Sequence, residues 1–359
     1  MKIGIVSMQR ICNYGSFLQA YGLKKTLESL GHEVVFIDYK TETIKRNESS
    51  LKEKLAQNPF LLFVKDNIEF YLFHSRKFSL LYRKQYLKQL GIGYKHSYSN
   101  QVDIAVIGSD EVFNCTQENS TVGFSPMLFG HGLKAKRVLS YAASFGFTTI
   151  ERINHSNIRK ILESYLKDFS FLSVRDLNSY NIIKELVGVE PYIHLDPVLI
   201  SDYELPPINR NLGEYAILYT YKRRVYTEDD IKSIKRFCKR NNVKLVSIGS
   251  SKEWADIQLE ASPLEALAYI ANARYVITDT FHGTVFSIKY NINFVTLVRK
   301  DNFHKLHDLL VRMKQEQREI ANYSQIDQIL QSEPDYRETN QIIEESRTAT
   351  ISYLSKALS

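Results

Sequence analysis

Long apolar runs, paired cysteines and a strong excess of one charge are all missing from this 359-residue sequence. Its three cysteines, Cys12, Cys115 and Cys238, lie far apart, are odd in number and form no CxxC. That excludes a disulfide-stapled scaffold, argues against a zinc ribbon, a thioredoxin-like redox site or an iron–sulfur cluster, and fits a reducing compartment. None of the nine histidines shows HxxxH or HxH spacing, so no metal is expected. No GxGxxG or Walker sequence is present, which removes specific support for a dinucleotide fold or a P-loop. The chain enters KIGIVSM directly with a single lysine, and no uncharged apolar run reaches the ~18 residues of a membrane span. The expectation is a cytoplasmic protein that does not cross a membrane.

What is present is an ordinary globular composition, 44% hydrophobic and 24% charged, with a net charge of +7. The length suits two domains, each able to bury its own core. Short β-rich apolar runs alternate with stretches of helical period, the pattern of parallel sheets covered by helices. Strands are predicted over residues 3–7, 34–38, 103–107, 137–142, 171–174, 216–220, 244–248, 275–278 and 294–297, with a first helix from Ser16 to Leu30. Residues 195–213 collect Pro197, Pro206, Pro207 and Gly213 and read as a linker, poor in helix and strand. The division is therefore 1–198, 199–335 and a C-terminal helix over 336–359.

Residues 41–100 stand apart as a basic, aromatic helical insertion. They hold eleven Lys or Arg against five Asp or Glu, most of the chain's surplus, together with ten Phe or Tyr. No nucleic-acid motif accompanies them. Two readings stay open: a solvated insertion with an aromatic core face, or a surface for anionic lipid headgroups.

Candidate site residues sit where predicted strands give way to helices, the place where open α/β sheets bind ligands and where helix N-termini attract anions. Asn13, Tyr14, Gly15 and Ser16 follow the first strand, where they either make a turn and cap a helix or contact a ligand. Ser109 and Asp110 follow another, as helix caps or as groups that orient a substrate hydroxyl. Arg175 follows a third, placed for bidentate binding of phosphate or carboxylate, or for an ion pair with Asp176 or Asp196. The stretch YVITDTFHGTVFS delivers Thr280, His282 and Gly283 to a strand-to-helix turn, where a histidine can exchange protons beside an anion held at the helix N-terminus. Cations at Lys222 to Arg224 and at Arg299 and Lys300 either complete an anion site or are solvated surface.

Taken together, NYGSFLQAYGL, IGSDEVFN, SYAASFG, LSVRDLNS, LDPVLI and TDTFHGTVFSI, in this order, resemble the polysaccharide pyruvyl transferase family from about residue 3 to about residue 300. The resemblance implies two Rossmann-like domains facing across a GT-B-like cleft, with a C-terminal helix packing back. It implies transfer of pyruvate from phosphoenolpyruvate to two hydroxyls of a sugar in a cell-surface polysaccharide precursor, lipid-linked or not, with no cofactor. By motif, His282 and Arg175 would be catalytic, and Arg175, Thr280, His282, Gly283, Arg223, Arg299 and Lys300 would hold the donor. Asn13, Tyr14, Gly15, Ser109 and Asp110 would fall on the acceptor side. Where the better-understood branch reads Arg-Leu-His, this chain reads Thr280-Phe281-His282, so a cation from Lys222 to Arg224 is expected to substitute. A GT-B glycosyltransferase using a nucleotide sugar, or a non-catalytic protein binding an anionic ligand, are the alternative readings on the same frame.

Overall fold

The computed structural model describes residues 1–41, 76–117, 123–221, 224–299 and 302–359. Most of the basic insertion, residues 42–75, therefore lies outside the described residues. Among the described residues, twelve strands fall into two six-stranded sheets, both wholly parallel. The first contains β1 (Lys2–Val6), β2 (Glu33–Phe36), β3 (Val102–Asp110), β4 (Ala135–Ala143), β5 (Ser173–Val174) and β6 (Tyr192–Ile193), in the spatial order β2-β1-β3-β4-β5-β6. The second contains β7 (Tyr215–Tyr219), β8 (Lys244–Ile248), β9 (Ile257–Leu259), β10 (Tyr275–Thr278), β11 (Asn293–Leu297) and β12 (Glu319–Ile320), in the order β12-β11-β10-β7-β8-β9. Each order reverses once, between β1 and β3 in the first sheet and between β7 and β10 in the second. These are the switch points beyond which doubly wound folds bind their ligands.

The predicted strands all appear, with ends that differ by no more than three residues. β6, β9 and β12 are absent from the sequence reading, and each is a two- or three-residue strand at or next to a sheet edge. The helices form where capping chemistry directs. Asn13, not Ser16, caps the helix Tyr14–Ser29, its side chain accepting from the Ser16 N–H at 2.7 Å. Helix Glu228–Arg240 opens on a Thr227/Asp230 capping box, with acids in its first turn and Lys239 and Arg240 in its last, matched to the helix dipole. The stretch expected to be irregular contains the short helix Pro197–Ile200, started by Pro197 and capped by Asp196, and then no helix or strand over residues 201–209.

Part of the insertion lies among the described residues. Phe78, Tyr82 and Tyr86 are buried, with Phe78 edge-on to Tyr14 at 5.0 Å and the Tyr82 hydroxyl donating to the Gln9 carbonyl. Its aromatic face is core, while Lys84, Lys88 and Lys95 are exposed and Tyr94 is 80% exposed.

The C-terminal helix Arg337–Leu358 returns to the first sheet. The Tyr353 hydroxyl donates to the Ser140 carbonyl at 2.7 Å, the Tyr141 hydroxyl lies 3.1 Å from Thr350 Oγ1, and Arg137 reaches the Leu358 carbonyl. His194 sits beneath this helix, its ring centroid 4.6 Å from that of Tyr353 and its Nδ1 2.7 Å from the Ser173 hydroxyl. Burial, with help from the Arg312 charge, pushes the imidazole down from 6.5 to about 4. The unfolded chain therefore binds a proton between pH 6.5 and 4 that the folded chain refuses. The stability this contributes is fully present above pH 6.5 and is lost as pH falls toward 4, by at most about 3 kcal/mol. In denaturant titrations at stepped pH, His194→Gln should flatten the loss of stability across this window; an unchanged slope would assign it to other groups.

Candidate active site

The carboxyl ends of the two sheets meet, and buried Asp110, Arg175 and Asp196, with half-buried His282, occupy the contact. On the first sheet, β3 ends in Ser109 (φ 21°) and Asp110 (φ 71°), and Ala142 near the end of β4 has φ 49°. Three non-glycine residues in or near the left-handed region at two adjacent strand ends are backbone strain, sustained by the hydrogen bonds around them. The Ser144 N–H donates to the Asp110 carbonyl, the Ser109 carbonyl accepts from the Ser7 hydroxyl, and the Asp110 carboxylate accepts from the Ser16 hydroxyl at 2.6 Å.

Arg175 follows β5 and is nearly buried. Its Nη1 donates to Asp196 at 2.9 Å and its Nη2 to Asp110 at 3.4 Å, while its guanidinium lies 4.3 Å from the centre of the Phe281 ring. Asp176 is not its partner. That carboxylate caps the helix Leu177–Val187 and takes the Ser144 hydroxyl. Asp196 accepts from Arg175, from the Ser109 hydroxyl and from the Val198 N–H. Burial works against its charge, but His282 and Arg175 hold the carboxyl below the usual carboxylate range.

His282 comes from the second sheet, in the first turn of the helix Phe281–Lys289. Its Nε2 lies 3.7 Å from Asp196 Oδ2, beyond hydrogen-bond reach, and has no hydrogen-bond partner among the described residues. Its Nδ1 packs against Gly15, where an added Cβ would fall 2.1 Å from that nitrogen. Gly15 is thus required by close approach of the two halves. Beside it, Tyr14 is buried and its hydroxyl donates to the Ala261 carbonyl of the second half at 2.9 Å; burial pushes this phenol up.

Two more bonds cross the contact. Lys305 pairs with Glu111 at 2.8 Å, and Arg312 donates to the Arg175 carbonyl at 2.5 Å. Burial would raise the Glu111 carboxyl, but Lys305, Arg175 and Asn114 draw it down to about 2. Tyr221, at the end of β7, is 48% exposed beside these groups.

Among the sequence-predicted residues, the structure brings Gly15, Ser109, Asp110, Arg175 and His282 into one cluster. Asn13 and Thr280 serve as helix caps, Thr280 Oγ1 accepting from the Gly283 N–H at 2.9 Å. A Cβ at Gly283 would fall 2.1 Å from Thr278 Oγ1, so its lack of a side chain is used in packing. Arg299 pairs with Asp279 at 2.6 Å and, among the described residues, makes no bond to Arg175, Asp110 or Asp196, so it joins a second carboxylate rather than that cluster. Lys222, Arg223 and Lys300 lie outside the described residues. The sequence reading offered Asp196 only as an ion-pair partner of Arg175, a pairing the structure bears out, and did not place it in the site, although an Asp-Pro helix start marks it. It also missed Asp279, Lys305 and Arg312, and for the last two no local signal exists because their partners lie on the other half. Among the described residues no cluster of His, Cys, Asp and Glu could hold a metal, and no helix is long and apolar enough to cross a membrane.

No curated protein matches the chain in a sequence search. Among solved structures, MnaA from S. aureus in a co-structure with UDP superposes with a TM-score of 0.53 at 11% identity, over 99% of this chain and 96% of that one. The spinosyn rhamnosyltransferase SpnG superposes with a TM-score of 0.50 at 11% identity, over 99% of both chains. At such identities the likeness concerns the fold alone, two Rossmann-like domains in the arrangement of GT-B glycosyltransferases and epimerases. The family described as polysaccharide pyruvyl transferase matches residues 13–302, a span that contains Gly15, Ser109, Asp110, Arg175, Asp196 and His282, and the chain belongs to that family.

Proposed function

We propose that the protein transfers pyruvate from phosphoenolpyruvate to two hydroxyls of a sugar in a polysaccharide precursor, forming a cyclic ketal and releasing phosphate. The observation that carries this reading is the meeting of His282 with the Asp196–Arg175–Asp110 array at the two switch points. An acid must protonate the methylene carbon of the enol, leaving an oxocarbenium-like carbon. One sugar hydroxyl adds to that carbon, the bond to the phosphate oxygen breaks, and the second hydroxyl closes the ring. The two hydroxyls lose two protons, of which the methyl group gains one and the phosphate the other.

In this scheme His282 supplies the proton, and Asp196 carries the compensating negative charge while the ring holds it. Asp110, within hydrogen-bond reach of Ser16, orients and deprotonates the acceptor hydroxyl. Arg175 spans Asp110 and Asp196 and so fixes the distance between the acid and base ends of the reaction. With both its ring nitrogens enclosed by Gly15 and Asp196, His282 meets substrate when the two halves separate, as suits a fold whose site lies between domains.

The acceptor side adjoins the exposed cations of the insertion, since Arg10, just after β1, donates to the carbonyls of Gly93 and Lys95. We place a lipid-linked acceptor there, with Lys84, Lys88 and Lys95 toward anionic headgroups at the inner face of the membrane. The buried aromatic residues take no part in that contact.

His282→Ala should lower phosphate release from phosphoenolpyruvate plus acceptor by about 10²-fold or more without loss of thermal stability. A well-folded variant with full turnover would remove His282 from the mechanism. Release of a nucleoside diphosphate from a sugar nucleotide by the wild type, in place of phosphate from phosphoenolpyruvate, would replace the reaction altogether. For the membrane contact, the protein should co-sediment with phosphatidylglycerol vesicles at low salt, and less so when Lys84, Lys88 and Lys95 are changed to Gln. Equal sedimentation of both proteins would take the contact away from these lysines.

A further inference from the structure

His282 stands in the first turn of a helix whose far end is also fastened to the first half of the molecule. Seven residues on, two turns and ~10.5 Å away, the helix Phe281–Lys289 closes on Lys289. The Lys289 ammonium donates to the carbonyls of Ser201 and Leu199, the latter at 3.4 Å. These carbonyls lie at the end of the short helix Pro197–Ile200, where the last turn leaves acceptors without partners along the chain. The cap at the start of that helix is Asp196, the acid that His282 approaches. Two helices from opposite halves are thus joined at both ends, His282 with Asp196 at one and Lys289 with Leu199 and Ser201 at the other.

The linker gives this grip a firm seat. The Tyr203 hydroxyl donates to the Leu18 carbonyl at 2.8 Å, its ring stacks on Tyr21, and the Ser201 hydroxyl lies 3.2 Å from Thr26 Oγ1. All three partners belong to the helix Tyr14–Ser29. A Cβ at Gly22 of that helix would fall 2.5 Å from the Tyr203 hydroxyl and 2.9 Å from Ser201 Oγ, so the linker packs against bare backbone. Gly15, two turns earlier on the same helix, is the seat of His282. One helix of the first half therefore backs both ends of the contact.

Lys289 itself is half-buried, its ammonium 5.4 Å from the ring centre of Tyr203 and 5.8 Å from that of Tyr290. Asp202 of the linker and Glu344 and Arg347 of the C-terminal helix line the same cavity of about 320 Å³, where Arg347 pairs with Asp202 at 2.9 Å. Burial draws the Lys289 ammonium down to about 8, which leaves it charged at neutral pH.

We infer that Lys289 is a positioning residue: by gripping the linker it sets the register of the two helices and so holds His282 against Asp196 and Gly15. Without that grip the helix is free to tilt, and over ~10.5 Å a small tilt carries the imidazole out of contact. The register follows from the bonds at the two helix ends; that turnover depends on it rests on the reaction proposed above.

Diethylpyrocarbonate carbethoxylates an accessible neutral imidazole nitrogen, so it reads the position of His282 without any turnover. In the full-length protein at neutral pH, peptide mass spectrometry should show wild-type His282 reacting far more slowly than the exposed His155. Lys289→Met should raise the His282 rate roughly tenfold or more relative to His155, with a melting temperature near wild type. Lys289→Gln, whose shorter side chain falls short of the carbonyls, should do the same, and Lys289→Arg should recover most of the protection. Arg347→Met, which removes a neighbouring cation but no bond to those carbonyls, should leave the rate unchanged. In turnover, Lys289→Met should lower kcat roughly tenfold with KM for both substrates little changed. Wild-type His282 that reacts as His155 does, or Lys289→Met protein that protects His282 as wild type does, would overturn the positioning role. Arg347→Met that exposes His282 as fully as Lys289→Met, or Lys289→Arg no better than Lys289→Met, would overturn its assignment to the bonds of this lysine. His282 freed by Lys289→Met, in a protein that never turns over phosphoenolpyruvate, would uphold the positioning role and sink the reaction instead.

Discussion

A carboxylate taken out of water must be surrounded by donors, and Asp196 meets that demand by recruiting from both halves of the molecule. Arg175, the Ser109 hydroxyl and the Val198 N–H satisfy it from the first half and the linker helix, while His282 approaches it from the second. Because a buried charge left unpaired is so costly, these partners cannot drift independently. The strained turn at Ser109 and Asp110, the stacking of Arg175 on Phe281 and the absence of a side chain at Gly15 all follow from bringing His282 to this one acid.

The second sheet repeats the solution with a different balance. Asp279 is equally buried, yet two arginines converge on it where Asp196 holds one. The first sheet therefore ends in two carboxylates that share one arginine, and the second in one carboxylate that meets two. The C-terminal helix, bonded to Ser140, Thr350's partner Tyr141 and Arg137, holds the two halves in one chain-level unit despite the irregular linker at 201–209.

Much of this was legible in the sequence. The interior strands were visible because parallel strands buried on both faces read as continuous apolar runs. β6, β9 and β12 were not, since two or three residues at or near a sheet edge carry no such signature. The site motifs were recognisable as a set, but the division of labour within each was not. Asn13 and Thr280 are polar residues at helix starts, and the same local pattern serves a cap or a ligand contact; in this structure both are caps. In the insertion, aromatic and basic residues alternate closely enough to suit either a core face or a lipid surface. Among the described residues Phe78, Tyr82 and Tyr86 are buried beside exposed Lys84 and Lys88, so these three rings belong to the core.

The sequence by itself determined the α/β class, the order of strands along the chain, the strand ends at which chemistry gathers and, through its motifs, the family. Those properties are local, written in hydrophobic period, turn residues and short motifs. Only the tertiary structure decided that Arg175 pairs with Asp196 and Asp110 and not with its neighbour Asp176, that Gly15 is a seat for His282, and that Arg224 and Arg299 share Asp279. Each of these pairings joins groups far apart in sequence, and each is set by the need of a buried charge for partners, which is met wherever the fold supplies them.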